Sequence, residues 1–252
     1  MWEAAHAQRY VEPFVGSAAL FFAAAPERAV LSDLNEELIC TYSEIRDDPD
    51  GIADALDALT RRKDTYLRLR RTEPRGLTYQ ARAARFLYLN RYCFNGLYRT
   101  NSSGAFNVPY APLRSGTTPS RERLHEVASL LRRADLHVGD YESVLVRVLR
   151  PFDFVYLDPP YAVANRRIFK QYDATTFGIA DLDRLAHLLY AIDALGASFV
   201  LSYADCTEAR SAFRDWPHIR VAAQRNIAGF SADRRRSYEL LVTNLAESEA
   251  IA

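Results

Sequence analysis

The chain has 252 residues, 49% of them hydrophobic and 25% charged, with 32 basic and 32 acidic side chains in balance. That length suits one large α/β domain or one domain carrying an insertion, and the composition excludes a low-complexity or fibrous chain. No apolar run is long enough for a membrane-spanning helix. The apolar stretch 17–25 ends in small residues as a signal peptide does, but Glu12 and Pro13 precede it and no basic cluster does, so a buried helix in a cytoplasmic protein is expected. Cys40, Cys93 and Cys206 are far apart and lack paired spacing, so neither a metal site nor a disulfide framework is expected.

Taken in chain order, Tyr10 to Pro13 reads as a strand end, Phe14-Val15-Gly16-Ser17 as a turn, and the stretch to Ala25 as an apolar helix stopped by Pro26. Residues 28–33 form a second strand pattern closed by Asp33. Residues 35–46 read as a helix, and Asp47-Asp48-Pro49-Asp50-Gly51 as the break after it. Helical patterns follow at 52–71 and 78–92. Glycines and prolines between Asn95 and Ser120 predict a loop or hairpin there. Strand patterns return at 136–140, 152–157 and 199–202, with a helix pattern at 181–195. Residues 219–223 and 238–244 are expected to pair as a terminal hairpin. Alternating strands and helices predict a largely parallel sheet.

Charge is unevenly placed. From Arg61 to Arg133 there are 16 Lys and Arg against 4 Asp and Glu, a local +12 that the remainder offsets with −12. A basic segment inside an acidic frame is the pattern of a phosphate-binding module set into an enzyme. The boundaries expected are a catalytic domain from 1–50 and 134–252 with an insertion at 51–133.

Asp158-Pro159-Pro160-Tyr161 follows the apolar strand 152–157, and in an open α/β sheet ligands bind beyond the carboxyl ends of strands. The prolines stiffen the backbone and leave carbonyls without neighbouring amides. A carboxylate beside such a carbonyl offers two fixed acceptors to an exocyclic amino group, which has two hydrogens to donate. Tyr161 offers a face on which a base can stack. Held in this way, an aryl amine localises its lone pair and attacks a methyl sulfonium in line, a reaction of positioning and electrostatics that needs no metal. The turn Phe14-Val15-Gly16 lets backbone approach a nucleotide-like cofactor. Asp33 can accept from ribose hydroxyls, and Asp140, at a third strand end, from an adenine amino group.

The chain resembles the Dam-type DNA adenine-N6 methyltransferases in Val11-Glu12-Pro13-Phe14-Val15-Gly16, Leu31-Ser32-Asp33-Leu34-Asn35, the stretch from Asn90 to Arg99, Gly104-Ala105-Phe106-Asn107-Val108-Pro109, the tetrapeptide, and Glu239-Leu240-Leu241-Val242-Thr243-Asn244. The resemblance implies a Rossmann-like α/β methyltransferase sheet with an inserted, mainly helical target-recognition domain, acting as a monomer. It implies S-adenosylmethionine bound by Phe14, Val15, Gly16, Asp33, Asp140 and Asp158. Asp158, Pro159, Pro160 and Tyr161 would surround an adenine flipped from double-stranded DNA. Phe94, Asn95, Leu97, Arg99, Asn107 and Pro109 would lie at or near the DNA, Arg99 on a guanine edge or a phosphate and Phe94 in space left by the extruded base. Family members usually carry a Lys-Trp-x-Gly-Gly-Lys element ahead of the cofactor strand, which the residues before Tyr10 do not match, and Ala18 replaces a usual glycine. Weaker cofactor binding than in relatives is therefore expected. An RNA adenine methyltransferase can share the tetrapeptide, though the Phe-Asn-Gly-Leu-Tyr-Arg segment argues against it. A DNA-binding relic with little catalytic power can share the rest.

Overall fold

In the computed structural model, residues 1–2, 5–101, 104–111, 116–160, 177–223 and 237–245 are described. Each stretch that reads as a strand forms one: β1 Arg9–Glu12, β2 Ala29–Asp33, β3 Ala134–Val138, β4 Asp153–Leu157, β5 Ser198–Ala204, β6 His218–Ala223 and β7 Ser237–Thr243. They make a seven-stranded sheet of order β3-β2-β1-β4-β5-β7-β6. β1 runs parallel to β2 and β4, and β4 parallel to β5. β7 runs antiparallel to both β5 and β6, with Leu201 opposite Val242 and Ile219 opposite Leu241. The order reverses at β1, the switch point where open α/β sheets leave a crevice at their carboxyl edge. β4 and β5 are buried along nearly their whole length, as strands covered on both faces must be.

The chain divides into two compact units, one taking the residues up to Leu34 and from Gly139 onward, the other Asn35–Val138. In the first, α1 Ala19–Ala24, α7 Tyr141–Val148, α8 Ile179–Ala194 and α9 Thr207–Ala212 accompany the strands. Val11, Val155, Leu157, Leu185, Leu189, Phe199 and Leu201 form its core. Trp2 packs edge-on against Tyr10 and Phe154, each with ring centroids 5.6 Å away. One buried ion pair joins β1 to β4: Arg9 donates to Asp153 from Nε (3.0 Å) and Nη2 (2.7 Å), and the Arg150 amide adds a third donor at 2.8 Å. Phe152, expected as the first residue of β4, instead turns at φ 65° and lies exposed, which sets the strand start at Asp153.

The second unit is mainly helical: α2 Glu36–Asp47, α3 Pro49–Asp57, α4 Lys63–Arg71, α5 Tyr79–Tyr92 and α6 Arg121–Leu131. Short polar side chains start four of them. Asn35, Asp48, Thr78 and Ser120 accept from backbone amides of the first turn of α2, α3, α5 and α6, satisfying donors that a helix start leaves open. The expected break at 47–51 is thus the start of α3, with Pro49 in its first turn. A Cβ at Gly51 would fall 2.1 Å from Asp48 Oδ2, so any larger residue there would push the capping carboxylate aside. The single helix expected over 52–71 is two helices. The Tyr88 hydroxyl captures the Thr60 carbonyl at 2.8 Å, and Arg62 donates back to that same carbonyl at 2.8 Å, so the helical ladder stops.

Several arginines of the basic segment serve the fold. Arg82, 8% exposed, donates to Glu36 and Glu37, and Arg85, 5% exposed, donates to the Leu69 carbonyl at 2.8 Å. Arg121 bridges Asp50 and Asp54.

Candidate active site

The acidic side chains singled out in the sequence stand at the carboxyl ends of strands: β2 ends at Asp33, and Asp158 directly follows β4. β1, between those two strands, ends at Glu12. Asp140 comes just after β3 and caps α7, accepting at Oδ1 from the amides of Glu142 (3.2 Å) and Ser143 (3.4 Å). Backbone ties hold these ends together. The Val15 amide donates to the Ser32 carbonyl at 2.9 Å, the Gly139 amide to the Asp33 carbonyl at 3.1 Å, and the Gly16 amide to Asp33 Oδ2 at 3.0 Å. Gly16 sits at φ +44°, and a Cβ added there would meet nothing nearer than the Phe14 carbonyl at 3.9 Å. The turn therefore leaves open space beside its backbone. Ala18 holds the left-handed conformation (φ 54°, ψ 27°) with its methyl wholly buried, a geometry that is strained for any residue with a Cβ.

Phe14 and Tyr141 pack with ring centroids 4.8 Å apart. Tyr141 is buried, its hydroxyl has no hydrogen-bond partner among the described residues, and burial pushes that hydroxyl up to about 12. The Arg184 guanidinium lies over the same ring, 5.0 Å from the centroid. Arg184 comes from α8 and reaches Asp140 Oδ1 at 3.0 Å, Glu142 Oε2 at 2.6 Å and Asp181 Oδ1 at 3.2 Å.

Glu12 is 4% exposed and accepts from the Tyr10 hydroxyl at 3.0 Å. Burial pushes its carboxyl up to about 8, the Tyr10 bond lowers it, and the negative charge of Asp158 raises it further. Glu12 is thus a neutral acid at neutral pH beside an aspartate at the next strand end. Asp158 is exposed, Pro159 is buried and Pro160 is exposed. Tyr161 lies outside the described residues. Glu12, Tyr141 and Arg184 are the side chains that sequence reasoning did not assign to the site. A carboxylate in an otherwise apolar strand was the available signal for Glu12; Arg184 lies far along the chain from Asp140 and carried none.

The segment from Cys93 to Tyr110 belongs to the other unit. Phe94-Asn95-Gly96-Leu97 is a tight turn with φ 55° at Asn95 and 64° at Gly96, closed by the Leu97 amide on the Phe94 carbonyl at 3.3 Å. Two successive positive φ angles explain the Asn-Gly pair. The Phe94 amide is held by the Pro109 carbonyl at 2.9 Å, while its ring is 45% exposed. Bridges join Cys93 to Tyr110 and Thr100 to Phe106 in antiparallel sense, so two arms run back to back. Asn107 Oδ1 accepts from Arg99 Nε at 2.8 Å, and both Arg99 and Pro109 are exposed, with Leu97 half-buried. Phe94, Asn95, Leu97, Arg99, Asn107 and Pro109 therefore come together on one short antiparallel element.

No helix among the described residues is long and apolar enough to cross a membrane, and none of their His, Cys, Asp and Glu side chains group as metal ligands. A switch-point sheet with a glycine turn after β1 and acidic residues ending its neighbours defines an α/β enzyme of the Rossmann-like methyltransferase class. The chain belongs to the D12 class N6 adenine-specific DNA methyltransferases, whose family model matches residues 3–227. It is 33% identical over 244 residues to the type II methyltransferase M1.LlaDCHI of Lactococcus lactis subsp. cremoris, covering 93% of this chain and 86% of that one. It is 31% identical over 241 residues to a DNA adenine methylase of Vibrio cholerae, with 93% and 86% covered. The retron Ec67 DNA adenine methylase of Escherichia coli is 30% identical over 244 residues, with 94% and 82% covered. The chain is a site-specific DNA adenine-N6 methyltransferase.

Proposed function

We propose that the chain, a cytoplasmic enzyme, takes its methyl group from S-adenosylmethionine and delivers it to N6 of an adenine flipped out of double-stranded DNA. The observation that carries this reading is the meeting of Gly16, Asp33 and Asp140 at one sheet edge, next to the strand end that bears Asp158. The edge suits an adenosyl group. Space is open beside Gly16, and the buried Tyr141 hydroxyl has no hydrogen-bond partner among the described residues. Phe14, Val15 and Gly16 would line the cofactor, Asp33 would accept from the ribose, and Asp140 from the adenine amino group. Bound S-adenosylmethionine supplies an electrophilic methyl on a sulfonium.

The remaining work falls to the chain. Asp158 and the Pro159 carbonyl accept the two hydrogens of the target amine and orient its lone pair. Tyr161 stacks on the flipped base, and Pro160 stiffens the turn between them. Neutral Glu12 places no second negative charge beside Asp158. The methylated amine carries the positive charge that left the sulfonium, and it sheds one proton to solvent.

Residues 51–133 are read as the target-recognition insertion. Arg99 is the base reader on this assignment: Asn107 holds its Nε, and its Nη1 and Nη2 meet no acceptor among the described residues, as a bidentate guanine contact requires. Phe94 is the wedge. The type II methyltransferase names among the relatives support a place in restriction-modification. The test is incubation of unmethylated plasmid with the chain and S-adenosylmethionine, followed by mapping of N6-methyladenine. Label confined to one short motif is expected. Transfer to RNA in place of duplex DNA, or none to either, overturns the proposal.

A further inference from the structure

Arg184 stands among three carboxylates, those of Asp140, Glu142 and Asp181. Its Nε and Nη2 both donate to Glu142 Oε2, at 2.9 and 2.6 Å, and its Nη1 donates to Asp181 Oδ1 at 3.2 Å. Asp181 is itself fixed, since its Oδ2 accepts from the Gly178 amide at 2.9 Å. With the guanidinium so clamped, Nη2 reaches Asp140 Oδ1 at 3.0 Å. That oxygen also takes the two α7 amides, so all three donors to Asp140 among the described residues fall on Oδ1 and none on Oδ2. The same guanidinium lies over the Tyr141 ring at 5.0 Å, and so contacts the residue next to Asp140 as well.

We infer that Arg184 is a positioning and specificity residue of the cofactor site: by saturating Asp140 Oδ1 it leaves Oδ2 as a fixed acceptor that selects a 6-amino purine over a 6-oxo purine. The inference rests on the cofactor reading above. A carboxylate oxygen with open lone pairs accepts from an amino group and repels a carbonyl. Selection by such a group is sharp only when the group cannot turn away, because a carboxylate free to rotate can present a hydrated face to either ligand. The clamp makes Asp140 rigid in the way a discriminating acceptor must be. Arg184 touches neither the methyl nor the target base on this view and acts through Asp140.

The test uses two ligands of the full chain, S-adenosylhomocysteine and its deaminated analogue S-inosylhomocysteine, with dissociation constants from calorimetry. The parental chain is expected to favour the adenosyl ligand. Arg184→Gln is expected to lower that preference about tenfold, since it removes one charge-assisted hydrogen bond that orients the acceptor. Its melting temperature should change little, because the ion pairs are about 40% exposed and exposed pairs hold little of a fold's stability. Arg184→Lys, which keeps one charged donor, should restore part of the preference, and Asp140→Asn, which can donate to a 6-oxo group, should abolish it. An unchanged ratio in folded Arg184→Gln, with preference lost in Asp140→Asn, overturns the role of Arg184 and leaves the cofactor reading standing. A parental chain that binds neither ligand, or both alike, overturns the reading of Asp140 and this inference with it.

Discussion

Replacing Glu12 by Gln should make the protein more stable, by an amount that depends on pH. The carboxyl is buried, meets the Tyr10 hydroxyl on its own strand and the backbone of Phe21 in α1, and feels the negative charge of Asp158 just after β4. In the unfolded chain it titrates near 4.5, and in the fold at about 8. Below the lower value both states are protonated and the variant gains nothing. Between the two values the unfolded state ionises while the folded state stays neutral, so the wild type loses stability as pH rises; above about 8 the deficit is constant. Each pH unit in that interval is worth about 1.4 kcal/mol, which puts a ceiling of about 5 kcal/mol on the effect. Relaxation of the site around the new charge reduces this to about 2 kcal/mol. Gln keeps the volume and the acceptor for Tyr10, so packing is unchanged. For a chain of this size the melting temperature of Glu12→Gln should exceed the wild type by about 4–8 °C at pH 8.5 and match it at pH 4.5. Thermal unfolding followed by circular dichroism across that range measures it. A gap that does not vary with pH, or one that closes as pH rises, refutes the assignment of a neutral Glu12.

Asp158→Ala should fold and bind DNA normally while methyl transfer falls about 10²–10³-fold, the cost of losing one positioned acceptor; near-parental turnover in a filter-binding assay removes Asp158 from the chemistry. Arg99→Ala should lose about 1–3 kcal/mol of discrimination at one base pair, read by competition among single-substitution duplexes, whereas a uniform loss makes it a phosphate contact. The logarithm of DNA affinity should fall with that of salt at about 0.9 per phosphate contact, with a slope set by several contacts. It should fall well short of the 16 basic residues in the segment, because Arg82, Arg85 and Arg121 are engaged in the fold. Asp153→Ala should destabilise the protein by about 3–5 kcal/mol in urea unfolding, since it strands the Arg9 guanidinium, 11% exposed, in the sheet.

Strands were legible in the sequence because burial on both faces writes itself as short apolar runs, as in Phe154-Val155 and Phe199-Val200-Leu201. Helix boundaries were less so. The run 47–51 reads as a breaker until one sees that Asp48 turns its carboxylate onto the Gly51 amide at 2.9 Å and starts a helix. Between α3 and α4 the Thr60 carbonyl is taken by Tyr88, far away in sequence, and no local pattern announces that contact. At the sheet edge, Asp33 and Asp140 were legible as candidates because they stand at or just after strand ends, and Gly16 because it sits in the turn that follows β1. Arg184 was not, because a lone arginine on an amphipathic helix reads as a solvated face. The basic segment was legible as charge and misleading as function in part, since burial of Arg82 and Arg85 turns two of its charges into props for the fold.

The chain leaves the sheet after Asp33 and re-enters it at β3, just ahead of Asp140, so the whole helical stretch is spliced between two strand ends. Heredity can therefore edit the two parts separately. On the proposed assignment, a substitution in the arms around Arg99 would change which words in a genome are marked, while the strand ends that carry Asp33, Asp140 and Asp158 would pass on unaltered. A host would then acquire a new pattern of marks by recombining one interval of the gene, with a single crossover on either side of residues 51–133, and a library built on that interval alone would sample new target sites on a constant chemistry.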